Sequence, residues 1–456
     1  MAVALSLLAT GADGVLLRPA GAVGPRRPDI VLIVTDDQRQ GTLGWMPAVR
    51  NRVVRRGVRF SRAMVPTSLC CPSRASLLTG EYAHTTKVWS NASGWRRFRE
   101  ARMEARTVAV RLRRSGYRTG LVGKYLNAYA GTQPPQGWTA WHAFRGSNAA
   151  YYNYELLHTN GSTTSHGSGA ASYSTDVLRR HALRFIAANP SNRPMFLYFA
   201  PYAPHEPATP APRHLNLSAP VGTFDPPGFN EVDVSDKPRW IRRLPYVSSS
   251  FVQGLRVRQY RTLRSVDEAV AAIMDAQRAR RRLHNTLLIF LSDNGLMLGE
   301  HRVLGKFVPY NAATRIALAL SWPRRVPGGR VDARLALNID VTATIAAAAE
   351  APHGGIAGRN LLRRWKRAGF PLEAAGARVP GPNGTNVERP AYCGLRTPRF
   401  LFVHYANGRE ELYDYPNDRW ELRDVHGLAR YRDRQRSLRR RTRAACVPVP
   451  PGFAWG

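Results

Sequence analysis

The sequence predicts a layered α/β fold, and three observations carry that expectation. Asp29-Ile30-Val31-Leu32-Ile33-Val34 and Thr286-Leu287-Leu288-Ile289-Phe290-Leu291 are unbroken apolar runs, the pattern of strands buried on both faces of a sheet. Helix-like stretches alternate with such runs, as at Val108 to Ser115, Tyr173 to Asn189 and Tyr260 to Arg282. In the last of these, Val266, Val270 and Ile273 recur at helical spacing. A chain of 456 residues, 44% hydrophobic and 21% charged, also has ample material for a large core and excludes a disordered chain.

Taken in order, the chain begins with a leader at 1–27 that contains a short apolar run without a basic region before it. It reads as a signal-peptide remnant, too short to cross a bilayer, and no later segment approaches a membrane span. The first apolar run leads into Thr35-Asp36-Asp37-Gln38. Two adjacent carboxylates at the carboxyl end of a buried strand are costly unless a positive group lies between them, and that edge is where open α/β sheets bind ligands.

Cys70-Cys71-Pro72-Ser73-Arg74 follows. Pro72 reads as a first helical residue, so the positive end of a helix would face Cys70, lower its thiol pKa and favour an anion nearby. A buried cysteine pair capping a helix is the plainer reading of the same residues. Further apolar runs end at Gly123-Lys124-Tyr125-Leu126-Asn127 and at Pro201-Tyr202-Ala203-Pro204-His205-Glu206-Pro207, whose prolines make a loop around His205. The run at 286–291 ends in Ser292-Asp293-Asn294-Gly295, with Lys306 downstream. Residues 144–170, rich in Gly, Ser, Asn and Tyr, read as an insertion or active-site loop, and Asn91, Asn160, Asn216 and Asn383 stand in glycosylation sequons.

Composition shifts after the segment Asn338 to Thr344, and residues 352–385 are rich in Gly, Pro and Arg, which places a domain boundary near 375. Beyond it lie strand candidates at Phe400 to Tyr405 and Glu411 to Tyr415 and an arginine-dense helix from about Leu428 to Arg443. The net charge is +36, and 62 of the 67 basic residues are arginine. Such a surface suits polyanions, although nucleotide composition alone can also enrich arginine. Cys393 and Cys446 are either a disulfide of an oxidising compartment or two free thiols.

Asp36, Asp37, Asp293 and Asn294 are hard oxygen donors at the ends of two strands, a set that suits Ca²⁺ or Mg²⁺ rather than zinc. The string Cys70-x-Pro72-Ser73-Arg74-x-x-x-Leu78-Thr79-Gly80 then resembles the signature of the type I sulfatases at every fixed position. The double cysteine, Gly123-Lys124-Tyr125-Leu126-Asn127 and Ala203-Pro204-His205 look most like the N-acetylglucosamine-6-sulfatase and heparan-6-O-endosulfatase branch.

That resemblance implies an alkaline-phosphatase-like fold: a large mixed sheet between helices in a catalytic domain at 28–375, then a small α+β domain with an antiparallel sheet at 376–456. It implies that Cys70 is oxidised to formylglycine (3-oxoalanine) by a formylglycine-generating enzyme and attacks sulfur as the hydrated aldehyde. One divalent cation, normally Ca²⁺, would be held by Asp36, Asp37, Asp293, Asn294 and the modified Cys70. Arg74, Lys124 and Lys306 would surround the sulfate, and His205 would assist its binding or protonate the leaving group. The implied partner is a sulfated carbohydrate, not nucleic acid, and the implied location is secreted or periplasmic. The sequence departs from family patterns at Leu126, where arylsulfatases carry His, at Asn294, and at Asn311, where glutamate is common. An arylsulfatase, a phosphonate or phosphate monoester hydrolase of the same superfamily, and an inactive polyanion-binding protein are the alternatives.

Overall fold

A computed structural model describes residues 27–146, 149–380 and 386–456; residues 1–26 of the leader and the sequon at Asn383 lie outside them. The strands of the larger part are β1 (Asp29–Thr35), β2 (Val58–Met64), β3 (Arg118–Gly123), β4 (Ala140–Phe144), β5 (Tyr154–His158) and β6 (Thr163–His166). There follow β7 (Met195–Ala200), β8 (Thr286–Ser292), the two-residue strands β9 (Met297–Leu298) and β10 (Leu304–Gly305), β11 (Leu318–Ser321) and β12 (Arg330–Leu337). Ten of them form one mixed sheet in the order β12-β2-β11-β8-β1-β7-β3-β4-β5-β6. From β8 to β4 the neighbours are parallel, while β11 at one side and β5 and β6 at the other run antiparallel.

Why the central runs lack polar residues is visible in the packing. Along β1, Ile30, Leu32 and Val34 point into one core, and Val31 and Ile33 into the core on the opposite face. β8 divides in the same way, Leu287, Ile289 and Leu291 against Leu288 and Phe290. A strand covered on both sides has no solvent face on which to place a charge. The helices Cys70–Thr79, Val108–Arg114 and Asn338–Ala348 cover the first face, and Ser174–Ala187 and Ser249–Ala279 cover the second.

Two expected boundaries move. The long helix begins at Ser249 rather than Tyr260, because the Ser248 hydroxyl caps it by accepting from the Phe251 amide at 3.2 Å. The segment 144–170, expected as an insertion or active-site loop, carries β5 and β6 at the sheet edge. Tyr154 and Leu156 are buried on one face there, so the hairpin has an anchor that its polar composition conceals.

The second sheet has four antiparallel strands in the order β13 (Phe370–Ala374), β16 (Tyr392–Arg396), β17 (Phe400–Tyr405), β18 (Glu410–Asp414). A two-stranded ribbon, β14 (Ala377–Pro380) and β15 (Asn386–Arg389), lies between β13 and β16 in the chain. The helix Arg432–Ala445 lays Gln435, Leu438 and Thr442 on this sheet and turns most of its seven arginines to solvent. Cys393 and Cys446 are joined by a disulfide, which fastens the end of that helix to β16. Among the described residues no helix is long and apolar enough to cross a membrane.

Candidate active site

The strand order decides what meets. β8, β1, β7 and β3 are consecutive parallel neighbours, so their carboxyl ends emerge side by side. They deliver Asp293 and Asn294, then Asp36 and Asp37, the loop bearing His205, and Lys124. The ends are tied together by backbone donors: Asp37 N donates to Asp293 Oδ1 at 3.1 Å and Gln38 N to Ser292 Oγ at 2.8 Å. Asp37 has φ 61°, a left-handed conformation that costs a non-glycine residue on the order of 1 kcal/mol and that its neighbours sustain. At the end of β3 only a glycine fits. Gly123 has φ 117° and a Cβ there would stand 2.0 Å from Ala200 O, the same oxygen that accepts from Lys124 N at 2.8 Å.

Cys70 enters from a helix above this edge. The helix begins at Cys70 itself, with Pro72 as its third residue rather than its first. Proline is tolerated there because the first four amides of a helix have no partner within it. The Cys71 amide instead donates to Asn91 Oδ1 at 2.9 Å, and Gly80 ends the helix in the left-handed region. From the other side Asn338 Nδ2 donates to Ser73 O and Oγ at 3.0 and 2.9 Å, and Ser73 Oγ donates to Asp293 O, which fixes the helix over β8.

All nine residues singled out from the sequence meet in one buried cluster. Lys306 Nζ lies 2.7 Å from Cys70 Sγ and donates to Asp37 Oδ1; Lys124 Nζ donates to Asp36 Oδ2 at 2.5 Å. Arg74, fully buried, donates from Nε to Asp293 Oδ2 at 2.8 Å and from Nη1 to Lys124 O at 3.0 Å. His205 Nε2 stands 3.4 Å from Asp37 Oδ2 and Asn294 Nδ2 donates to Asp37 Oδ1 at 2.7 Å. Ligand atoms of Asp36, Asp37, Cys70 and His205 all lie within 4.8 Å of one another.

Charge balance explains how so many ionised groups share a dry site. Burial raises a carboxyl pKa, yet Lys124, His205, Arg74 and Lys306 overcome it and hold Asp36 well below the usual carboxylate range. Asp37 is lowered against the same burial by Lys306 and His205. Asp293 goes the other way, raised by burial and by the charge of Asp36 in spite of Arg74. The sequence expectation fails for Cys70: burial pushes its thiol well above the ordinary range, and Lys124 and Lys306 do not reverse it. A helix end cannot ionise a thiol from which water is excluded and beside which two carboxylates stand.

Several partners were not legible in the sequence. Tyr202 Oη lies 2.8 Å from His205 Nδ1, Tyr151 Oη donates to His205 O at 2.7 Å, and Asn91, read only as a sequon, holds the Cys71 amide. Asn91 and Tyr151 act across gaps of 20 and 54 residues, and no local pattern marks such contacts.

Residues 28–351 match the sulfatase family, and residues 299–446 match the C-terminal region of N-sulphoglucosamine sulphohydrolase. The chain belongs to the sulfatase family. An extracellular sulfatase SULF-1 homolog of Drosophila melanogaster is 33% identical over 72% of this chain and 30% of its own length. The N-acetylglucosamine-6-sulfatase of Homo sapiens is 33% identical over 71% of this chain and 61% of its own length. The chain thus spans less than two thirds of these curated relatives. A solved structure in complex with its substrate D-glucosamine-2-N,6-O-disulfate superposes with a TM-score of 0.78 at 21% identity, over 92% of this sulfatase-family chain and 97% of the other. The alkaline-phosphatase-like sulfatase architecture, a large mixed sheet with a smaller antiparallel sheet after it, is the one expected from sequence.

Proposed function

We propose that this sulfatase-family chain hydrolyses sulfate esters of sugars, with a 6-O-sulfated glucosamine unit as the preferred substrate. The observation that carries the reading is the convergence of Lys124, Lys306, Arg74 and His205 on the acidic pair and Cys70 at one sheet edge. Fixed cations in a water-excluded site stabilise an oxyanion without reorganising at the moment of reaction.

The residues fit one hard divalent cation. Asp36, Asp37, Asp293 and Asn294 offer oxygen only, and Asn294 Oδ1 is buried without a hydrogen-bond partner. Such a cation, Ca²⁺ in our reading, would polarise the sulfate oxygens. Formylglycine at position 70, made from Cys70 by a generating enzyme, would supply the attacking hydroxyl.

Lys306, against Cys70 Sγ and Asp37, is placed to donate a hydrogen bond to the nucleophile's oxygen. Lys124 and Arg74 neutralise the sulfate side. Glu206 O accepts from His205 Nδ1 at 2.6 Å, which fixes the proton on that nitrogen and leaves Nε2 to serve the leaving oxygen. The relatives' names and the disulfide support export to an oxidising compartment.

The test is turnover by protein whose Cys70 peptide shows the aldehyde by mass. Release of sulfate from 6-O-sulfated glucosamine, lost in Cys70→Ala and after chelation, is the expected result. A preference for phosphonate or phosphate monoesters over every sulfate ester would overturn it.

A further inference from the structure

We infer that His142, His158 and His181 form a second metal site, for a zinc-class transition ion, on the far edge of the main sheet. The three imidazoles come from separate elements. His142 on β4 and His158 on β5 are direct cross-strand partners, and His181 comes from the helix Ser174–Ala187 packed over them. One nitrogen from each lies within 4.8 Å of the other two, with His142 Nδ1 and His158 Nδ1 2.8 Å apart. Tetrahedral zinc with nitrogen ligands at about 2.0–2.1 Å requires ligand atoms roughly 3.3 Å apart, so small ring rotations close the site. None of the three belongs to the cluster around Cys70.

The surroundings prepare these rings as ligands. His158 Nε2 is 2.8 Å from Thr164 Oγ1, which is 3.2 Å from His166 Nε2. That chain is satisfied when His158 carries its proton on Nε2 and Thr164 donates to His166, which turns the Nδ1 lone pair of His158 towards His142 Nδ1. An acceptor on the other ring nitrogen, here the Thr164 hydroxyl, fixes the tautomer and orientation of a ligating histidine. Neutral imidazoles without a carboxylate select zinc, cobalt or nickel, whereas the acidic site at the other sheet position selects a hard cation.

All three histidines are partly exposed, which gives an ion a way in and leaves a coordination position for water. The ion would clamp the hairpin edge to its covering helix. The segment between β4 and β5 also carries Tyr151, whose hydroxyl holds the backbone of His205.

Tag-free protein saturated with Ca²⁺ and titrated with Co²⁺ tests the site. One equivalent of tetrahedral cobalt absorption, displaced by Zn²⁺, is expected in the wild type and is lost in His181→Gln and in His158→Gln. Zn²⁺ should raise the thermal midpoint of the wild type and leave that of either variant unmoved; either variant alone suffices if the other misfolds. Equal cobalt spectra in wild type and variants, or no tetrahedral band in the wild type, would overturn the proposal and leave the three rings as a hydrogen-bonded cluster.

Discussion

Lys124 and Lys306 reach their carboxylates as compact ammonium groups through fully buried surroundings. A guanidinium is wider, planar and forked, and it cannot occupy the 2.7 Å contact with Cys70 Sγ while also meeting Asp37. Lys124→Arg and Lys306→Arg should therefore each lower kcat by about 10²–10³, despite keeping the charge. Steady-state kinetics on one sulfate ester measures this, and near-normal turnover in both would mean that diffuse positive charge is enough. Glu411 offers a second test at this scale. Burial and the charge of Asp424 push its carboxyl up to about 7, although the hydroxyls of Tyr310, Tyr405 and Tyr413 donate to it. The folded value lies above the ordinary 4.5, so the proton favours the folded state. Its contribution is complete below pH 4.5 and is lost as pH rises through about 7. Over that window it is on the order of 3 kcal/mol. Glu411→Gln should flatten this part of the stability profile, measured by thermal unfolding of wild type and variant between pH 5 and 8; identical slopes would refute it.

At the scale of elements, the C-terminal helix depends on two attachments. Arg439 pairs with Glu410 through contacts of 2.6 and 2.5 Å, and the Cys393–Cys446 bond closes a sequence separation of 53 residues. A loop of that length implies about 4 kcal/mol in the chain-entropy account, with about 2–4 kcal/mol typical of measured disulfides. The Cys393→Ser/Cys446→Ser double variant should unfold at lower temperature, while retaining turnover at 25 °C because the bond lies in the smaller sheet. Calorimetry with and without reductant checks both halves, since reductant should shift the wild type and leave the double variant unchanged. An unshifted wild type in its fully reduced state would mean that Arg439 and the Leu438 face hold the helix by themselves.

For the whole molecule the unexplained quantity is charge. The site uses three basic residues, yet the net charge is +36. Most arginines of the C-terminal helix are exposed and available to a sulfated chain. If they meet neighbouring sulfates, turnover of sulfated oligosaccharides should fall steeply with salt, since exposed charges are screened over about 8 Å at physiological ionic strength. A small aryl sulfate reaches mainly the buried site and should respond less. Coincident salt profiles, with the aryl sulfate the better substrate, would assign the arginines to ordinary solvated surface.

Sequence by itself determined the buried strands and the residues of the acidic and cationic cluster. Apolar runs that stop at charged or amide residues point to buried strands with Asp36, Asp37, Lys124, Asp293 and Asn294 at their ends. Cys70, Arg74, His205 and Lys306 rest on the resemblance to the sulfatase signature. It did not determine the order β8-β1-β7-β3, which alone makes Asp293, Asp36, His205 and Lys124 neighbours. Nor did it reveal that water is excluded from Cys70, which reverses the effect expected from its place at a helix end. The histidine triad was equally invisible, because His142, His158 and His181 share no local spacing. Strand pairing and desolvation depend on segments hundreds of residues apart, and only the folded chain brings their charges and their neighbours together.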